Sequence, residues 1–205
     1  EDGETSGPRK RHHSDYFTRL TQQFAKSLDA LTVDGFVERV DQRLRPWGSA
    51  GQLAIPVVAC EDYYEVHGRE WERFALLKAR PVAGDRDLGT NLLYSLKPFM
   101  YRKYLDFGVF ESIRDLKSKI ETEVRRNGRD QNVKVGRGGN REIEFIVQSM
   151  QLLRGGQIPT LQVTGFLEAL SALVDESILT ADDGRQLRED YLWLRHVEHV
   201  IQAEN

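Results

Sequence analysis

Cysteine is almost missing from this chain: of 205 residues only Cys60 carries a thiol. That excludes an internal disulfide and favours a reducing compartment. Long apolar runs are missing too. No stretch approaches the roughly 20 apolar residues that a membrane-spanning helix needs, and no signal-peptide pattern opens the chain. Charge of one sign is nearly absent in the net, which is -3, so there is no global attraction to nucleic acid or to an acidic membrane surface. Repeats of fixed period and low-complexity tracts are lacking as well. An initiator Met is absent, and Ile201 to Asn205 stop inside a helical pattern, so the chain reads as an excerpt from something longer. What remains, 40% hydrophobic and 30% charged residues, is enough to bury a core in one large domain or two small ones. A cytoplasmic protein with no nucleic-acid or membrane partner is the expectation.

The stretch around which the rest is organised is Gly136-Arg137-Gly138-Gly139-Asn140-Arg141-Glu142-Ile143-Glu144-Phe145-Ile146-Val147-Gln148. Its glycines allow a sharp turn and close packing. Asn140 is the expected N-cap, and Glu142 and Glu144 oppose the positive end of the helix dipole. Ile143, Ile146, Val147, Met150 and Leu153 recur at helical spacing as a buried stripe, with Glu144, Gln148 and Gln151 as a polar one. Such helix starts sometimes bind anions and more often are plain structure.

Upstream, residues 1 to 13 read as a polar, basic loop. A helix capped by Ser14 follows, with Phe17, Leu20, Phe24, Leu28 and Leu31 on one side. After the turn at Asp34-Gly35 the period changes to alternation, which predicts a strand around Phe36-Leu44. Short helices are expected over Val57 to Val66 and Arg69 to Ala79, then a break at Pro81, Gly84 and Asp85. Beyond it come helices only: Leu88 to Lys97, Phe99 to Leu105, and one marked by Val109, Ile113, Leu116, Ile120 and Val124. A short extended piece at Val133 to Val135 precedes the organising helix. The last two are Phe166 to Val174 and one opening at Thr180, with Leu187, Tyr191, Leu194 and Ile201 inward. The fold class is thus α+β and predominantly helical.

The strand face that carries Asp41, Arg43 and Arg45 is the strongest chemical signal. A carboxylate between guanidinium groups suits metal binding and bidentate clamping of phosphate, and it equally suits a solvated Asp-Arg ladder on a surface strand. His196 and His199 have metal-ligand spacing but no partner to complete a zinc set. Arg137-Gly138-Gly139 is a single RNA-binding-like tripeptide in a folded context. Trp71, Phe74, Tyr191 and Trp193 sit at core-like spacings.

Four motifs in order carry a family likeness. They are Val40-Asp41-Gln42-Arg43-Leu44-Arg45-Pro46, Trp71-Glu72-Arg73-Phe74-Ala75-Leu76-Leu77-Lys78-Ala79-Arg80, Pro98-Phe99-Met100-Tyr101-Arg102-Lys103-Tyr104-Leu105-Asp106-Phe107, and the organising stretch through Arg154-Gly155-Gly156. Together they resemble the bifunctional glutamine synthetase adenylyltransferase/adenylyl-removing enzymes of the nucleotidyltransferase superfamily. Arg141-Glu142, where the adenylylating half usually has Val-Asp, resembles the N-terminal, adenylyl-removing half. The resemblance implies the remnant of a nucleotidyltransferase palm over 1-86 and an all-helical bundle domain over 87-205. It implies Asp41 as the third carboxylate of a Mg²⁺ site, Arg43 and Arg45 at phosphate, and Lys78 and Arg80 at nucleotide or phosphate. The reaction implied is phosphorolysis of adenylyl-tyrosine on glutamine synthetase to ADP and tyrosine, paired in the parent with an ATP-dependent adenylylating half. The PII signalling protein is the implied regulatory partner.

There are departures from the family pattern. The Gly-Ser…Asp-x-Asp motif is absent, so the excerpt alone is expected to be inactive and its strand edge to need cover. Asn140 stands where the family usually has Ile. The alternatives are a helical docking module for glutamine synthetase or PII, and a PII uridylyltransferase-like nucleotidyltransferase.

Overall fold

Val147, Leu161 and Leu173 have no surface exposed to solvent. They mark the centre about which the carboxy-terminal helices assemble. The structure, a computed structural model, describes residues 3–33, 35, 37–101, 107–129 and 132–203, with the side chains of 107–110 left aside. Its residues fall into two units, Glu1–Arg69 and Glu70–Asn205. The expected break at Pro81 to Asp85 lies within the second. Asp34, Phe36 and the stretch from Arg102 to Asp106, which figured in the turn, strand, helix and third-motif expectations, lie outside the described residues.

The first unit contains α1 (His13–Asp29), a 3₁₀ turn at Gly48–Ala50 and α2 (Val57–Val66). The apolar stripe of α1 forms as its spacing predicts, yet no residue of the helix is buried: Phe17, Leu20 and Phe24 are about half exposed. His12 takes the N-cap position, and Ser14 Oγ instead pairs with the His12 ring at 2.8 Å. Around α2, Trp47 meets Tyr63 edge-on at 5.0 Å, and Tyr63 meets Tyr64 in the same way at 5.1 Å. Both tyrosines are buried.

The predicted strand is not formed over its described part, 37–44. Among the described residues only isolated bridges occur, Glu4 with His12 and Thr32 with Gly35. A strand is held by a neighbour's ladder, and here the backbone is satisfied locally. The N–H groups of Val37 and Glu38 both donate to the Leu28 carbonyl, at 3.2 and 3.1 Å. Asp41 accepts from the backbone N–H of Arg43 at 2.9 Å, a side-chain-to-backbone bond that competes with sheet pairing.

The second unit holds α3 (Glu70–Leu76), α4 (Arg86–Ser95), α5 (Lys97–Met100), α6 (Phe107–Arg126), α7 (Asn140–Arg154), α8 (Phe166–Asp175) and α9 (Ala181–Ala203). Asp85 caps α4 by accepting from the Leu88 N–H at 2.9 Å, and Pro98 sits in the first turn of α5. Thr180 caps α9, accepting from the Asp183 N–H at 3.1 Å. Helices α7, α8 and α9 pack on one another around Val147, Leu161, Leu170 and Leu173. A second cluster joins Leu77, Met100, Tyr101 and Leu152.

Four finer expectations change, the first being that Ile146, read as part of the buried stripe, is exposed. Gln151 is buried rather than on a polar stripe, because its amide donates to the Leu161 and Val163 carbonyls at 2.8 and 2.9 Å. Ile201 is exposed. Val133 to Val135 is a turn and not an extended piece, since Asn132 Oδ1 accepts from the N–H groups of Lys134 and Val135 at 3.0 and 3.2 Å.

Candidate functional site

Asp41 lies on an exposed turn of the first unit, and its carboxylate is gripped from one side. Arg43 donates from Nε to Oδ1 at 3.0 Å and from Nη2 to Oδ2 at 2.7 Å, in addition to its backbone bond. The guanidinium of Arg43, then its backbone N–H, hold the Asp41 carboxyl down at about 2. This is the bidentate geometry in which arginine binds a carboxylate, and phosphate presents the same two-oxygen face. Arg45 is spent on the backbone, donating to the carbonyls of Gln42 and Gly51 and so closing the loop behind the turn.

Lys78 and Arg80 belong to the second unit, just past α3. Lys78 Nζ is 2.6 Å from Glu144 Oε2 on α7, while Arg80 is exposed. Glu144 also receives the Tyr191 hydroxyl at 3.4 Å. The structure therefore joins Asp41 to Arg43, and Lys78 to Glu144.

Sequence reasoning missed the polar cluster behind Glu144. Asn140 is not the cap of α7; Gly139 is, and the buried Asn140 amide donates to Glu198 Oε2 of α9 at 3.1 Å. Lys134 and Arg195 reach the same carboxylate at 3.1 and 2.5 Å. Burial pushes the Glu198 pKa up, but Lys134 and Arg195 outweigh it and the net displacement is downward. The signal was available: Glu198 follows Leu187, Tyr191 and Leu194 on the inward stripe of α9, where a carboxylate demands partners.

The glycine turn that starts α7 is closed by its own chain. Gly138 has φ +74, and a Cβ at Gly139 would stand 2.5 Å from the Val133 carbonyl oxygen. The N–H groups of Asn140 and Arg141 donate to the carbonyls of Val133 and Lys134 at 3.2 and 3.0 Å, and Gly138 N–H donates to Glu142 at 2.7 Å. These amides are satisfied by protein, so the turn is a structural lock and not an open anion nest. Lys117 on α6 fastens Glu142 from the other side at 2.8 Å, and this bond leads the causes that lower the Glu142 pKa.

A Mg²⁺ centre is not complete here. Among the described residues no group of three His, Cys, Asp or Glu side chains is placed to hold a metal ion. Asp41 offers one carboxylate, with both oxygens already accepting from Arg43.

Comparison with known proteins bears on the whole chain. The family model described as glutamate-ammonia ligase adenylyltransferase matches residues 1–95. That of the GlnD PII-uridylyltransferase matches residues 114–205. Over 204 residues, 99% of the chain, it is 54% identical to the bifunctional glutamine synthetase adenylyltransferase/adenylyl-removing enzyme of Hahella chejuensis. The corresponding enzymes of Pseudomonas putida and Pseudomonas aeruginosa are 50% and 48% identical over the same length. The chain is thus similar to these enzymes along nearly its whole length. It spans 21% of the length of these curated relatives.

Family members of this kind are adenylyltransferases, a class of nucleotidyltransferase. The mostly helical fold agrees with the expectation for the larger part of the chain. No helix among the described residues is long and apolar enough to cross a membrane.

Proposed function

We propose that this chain is part of the adenylyl-removing half of a bifunctional enzyme of glutamine synthetase, with the palm over 1-86 and the helical domain over 87-205. The observation that carries the reading is the Asp41–Arg43 pair. It is an exposed, fully ionised carboxylate and a guanidinium whose Nη1 has no described partner, on the motif that carries the resemblance. On this reading the turn at residues 37–46 borders a palm whose strands belong to the longer polypeptide. Asp41 is then one Mg²⁺ ligand among carboxylates supplied from elsewhere. Arg43 turns part of its fork to phosphate, and Arg45 keeps the turn in shape. Lys78, tied to Glu144, and Arg80 are the nucleotide-side cations. The reaction is attack of inorganic phosphate on adenylyl-tyrosine, giving ADP and tyrosine in a cytoplasmic enzyme. The chain's own residues position and neutralise the phosphate oxygens.

The test is Asp41→Asn in the full-length polypeptide. ADP release from adenylylated glutamine synthetase and phosphate should fall about 100-fold or more, with ATP-dependent adenylylation kept. Undiminished ADP release would refute the assignment. A second reading, favoured by the PII-uridylyltransferase match over residues 114–205, makes the helical part a docking module for PII or glutamine synthetase. Titration of the chain with each protein decides it.

A further inference from the structure

The backbone that carries Lys78 is fixed without any help from its side chain. Leu77, the residue before it, is buried in the cluster with Met100, Tyr101 and Leu152. Within α3, Phe74 stacks on Phe145 of α7 at 4.9 Å, with the rings 4° from parallel. These apolar contacts already join the end of α3 to α7. An ion pair open to water adds little to such a joint, yet Lys78 and Glu144 meet at 2.6 Å with side chains 46% and 23% exposed. What the backbone leaves undetermined is the ammonium, at the end of a flexible four-carbon stem. Glu144 determines it.

Glu144 is in turn held from α9. Its Oε2 takes Lys78, and its Oε1 accepts from the Tyr191 hydroxyl at 3.4 Å. Tyr191 is set by its stack on Phe166 of α8, with 4.0 Å between ring centres. Burial, and then the charge of Glu144, push the Tyr191 pKa up, so the hydroxyl stays protonated and remains a donor. Both carboxylate oxygens are thus engaged by protein, which leaves Glu144 no lone role toward a reactant. Lys78 differs. An ammonium has three donors; one is directed at Glu144, and no second acceptor meets it among the described residues.

We propose that Glu144 is a positioning residue for Lys78, aiming the ammonium so that its uncommitted N–H groups meet a phosphate oxygen of the reactant. This role rests on the proposed function, in which Lys78 is a nucleotide-side cation. Where catalysis is positioning and charge neutralisation, a cation that swings away from the reacting oxygens costs rate even though it is still present. Glu144 acts through Lys78 alone, so its removal matters only while Lys78 is in place.

The test is a double-mutant cycle in the full-length polypeptide, reading ADP release from adenylylated glutamine synthetase and phosphate. Lys78→Ala should lower the rate about 100-fold, and the isosteric Glu144→Gln about tenfold at an unchanged denaturation midpoint. In the Lys78→Ala background, Glu144→Gln should cost nothing further, because the two residues act as one unit. Full activity in Glu144→Gln beside a slow Lys78→Ala overturns the role of Glu144 and leaves the proposed function standing. So does a Glu144→Gln loss that persists in the Lys78→Ala background, or one accompanied by a lowered midpoint, which would make the pair a staple of the fold. Undiminished release in Lys78→Ala removes the positioning role together with the assignment of Lys78.

Discussion

The two units spend their apolar residues differently. In Glu70–Asn205, leucines at helical spacing disappear from solvent: Leu170 and Leu173 of α8 are buried. In Glu1–Arg69, helix α1 has an equally regular stripe, and Leu20 remains 48% exposed. Periodicity therefore reports which face of a helix is apolar, and only packing turns that face into stability. The first sharp test is a pair of truncations followed by chemical denaturation. Leu173→Ala should cost about 3 to 4 kcal/mol, because the site between α7 and α8 collapses poorly. Leu20→Ala should stay within about 0.5 kcal/mol. Comparable losses in the two variants would mean that α1 is covered in solution and would end the contrast.

Their carboxylates differ in the same sense. Glu198 sits in the second unit with its side chain 7% exposed, while Asp41 of the first unit is half exposed. Glu198→Ala strands the buried Asn140 amide, whereas Lys134 and much of Arg195 still reach water. The expected loss is about 2 kcal/mol, the cost of an orphaned buried donor and not of a stripped ion pair. An effect below the error of denaturation would show that Glu198 is dispensable to the α7–α9 contact.

Acid sharpens the comparison further. Glu198 and Glu142 both bind their protons less readily in the fold than in an unfolded chain, with 4.5 as the ordinary value. Their contribution is therefore complete above pH 4.5 and is lost as pH falls through the lowered values. Denaturation midpoints should drop below pH 4.5, and Glu198→Gln together with Glu142→Gln should flatten that drop. A double variant with the parental slope would assign the acid sensitivity to other groups.

How much of this was legible depended on whether the interaction was local in sequence. The helix spans were readable from spacing: Val57–Val66 is placed residue for residue, and α6, α8 and α9 follow the apolar repeats. The strand at 37–44 was not, since alternation gives a face but no partner, and the backbone turned to Leu28 and Asp41 instead. Asn140 was misread for a similar reason. Its capping propensity is local, and the competing bond to Glu198 spans 58 residues. Gln151 likewise looked like surface until its amide found two carbonyls of the loop before α8. At the candidate site, the pairing of Asp41 with Arg43 follows from two-residue spacing, whereas that of Lys78 with Glu144 required the fold.

The smallest expected change in stability is the most informative about the first unit. Asp41 and Arg43 are both solvent-exposed, so Asp41→Asn should leave the denaturation midpoint where it was. The carboxylate is nonetheless ionised down to about pH 2, because Arg43 and its backbone N–H favour the charged form. Any exposed aspartate keeps its charge in the physiological range; what sets Asp41 apart is the grip of Arg43 on both of its oxygens. Titrating Asp41 by NMR in the parent and in Arg43→Ala separates the two cases. A carboxyl that returns toward 3.8 in the variant, at unchanged stability, marks a pair held ready for an external partner. A midpoint that falls with Arg43→Ala would instead make the pair a staple of the loop, like Glu198 in the other unit.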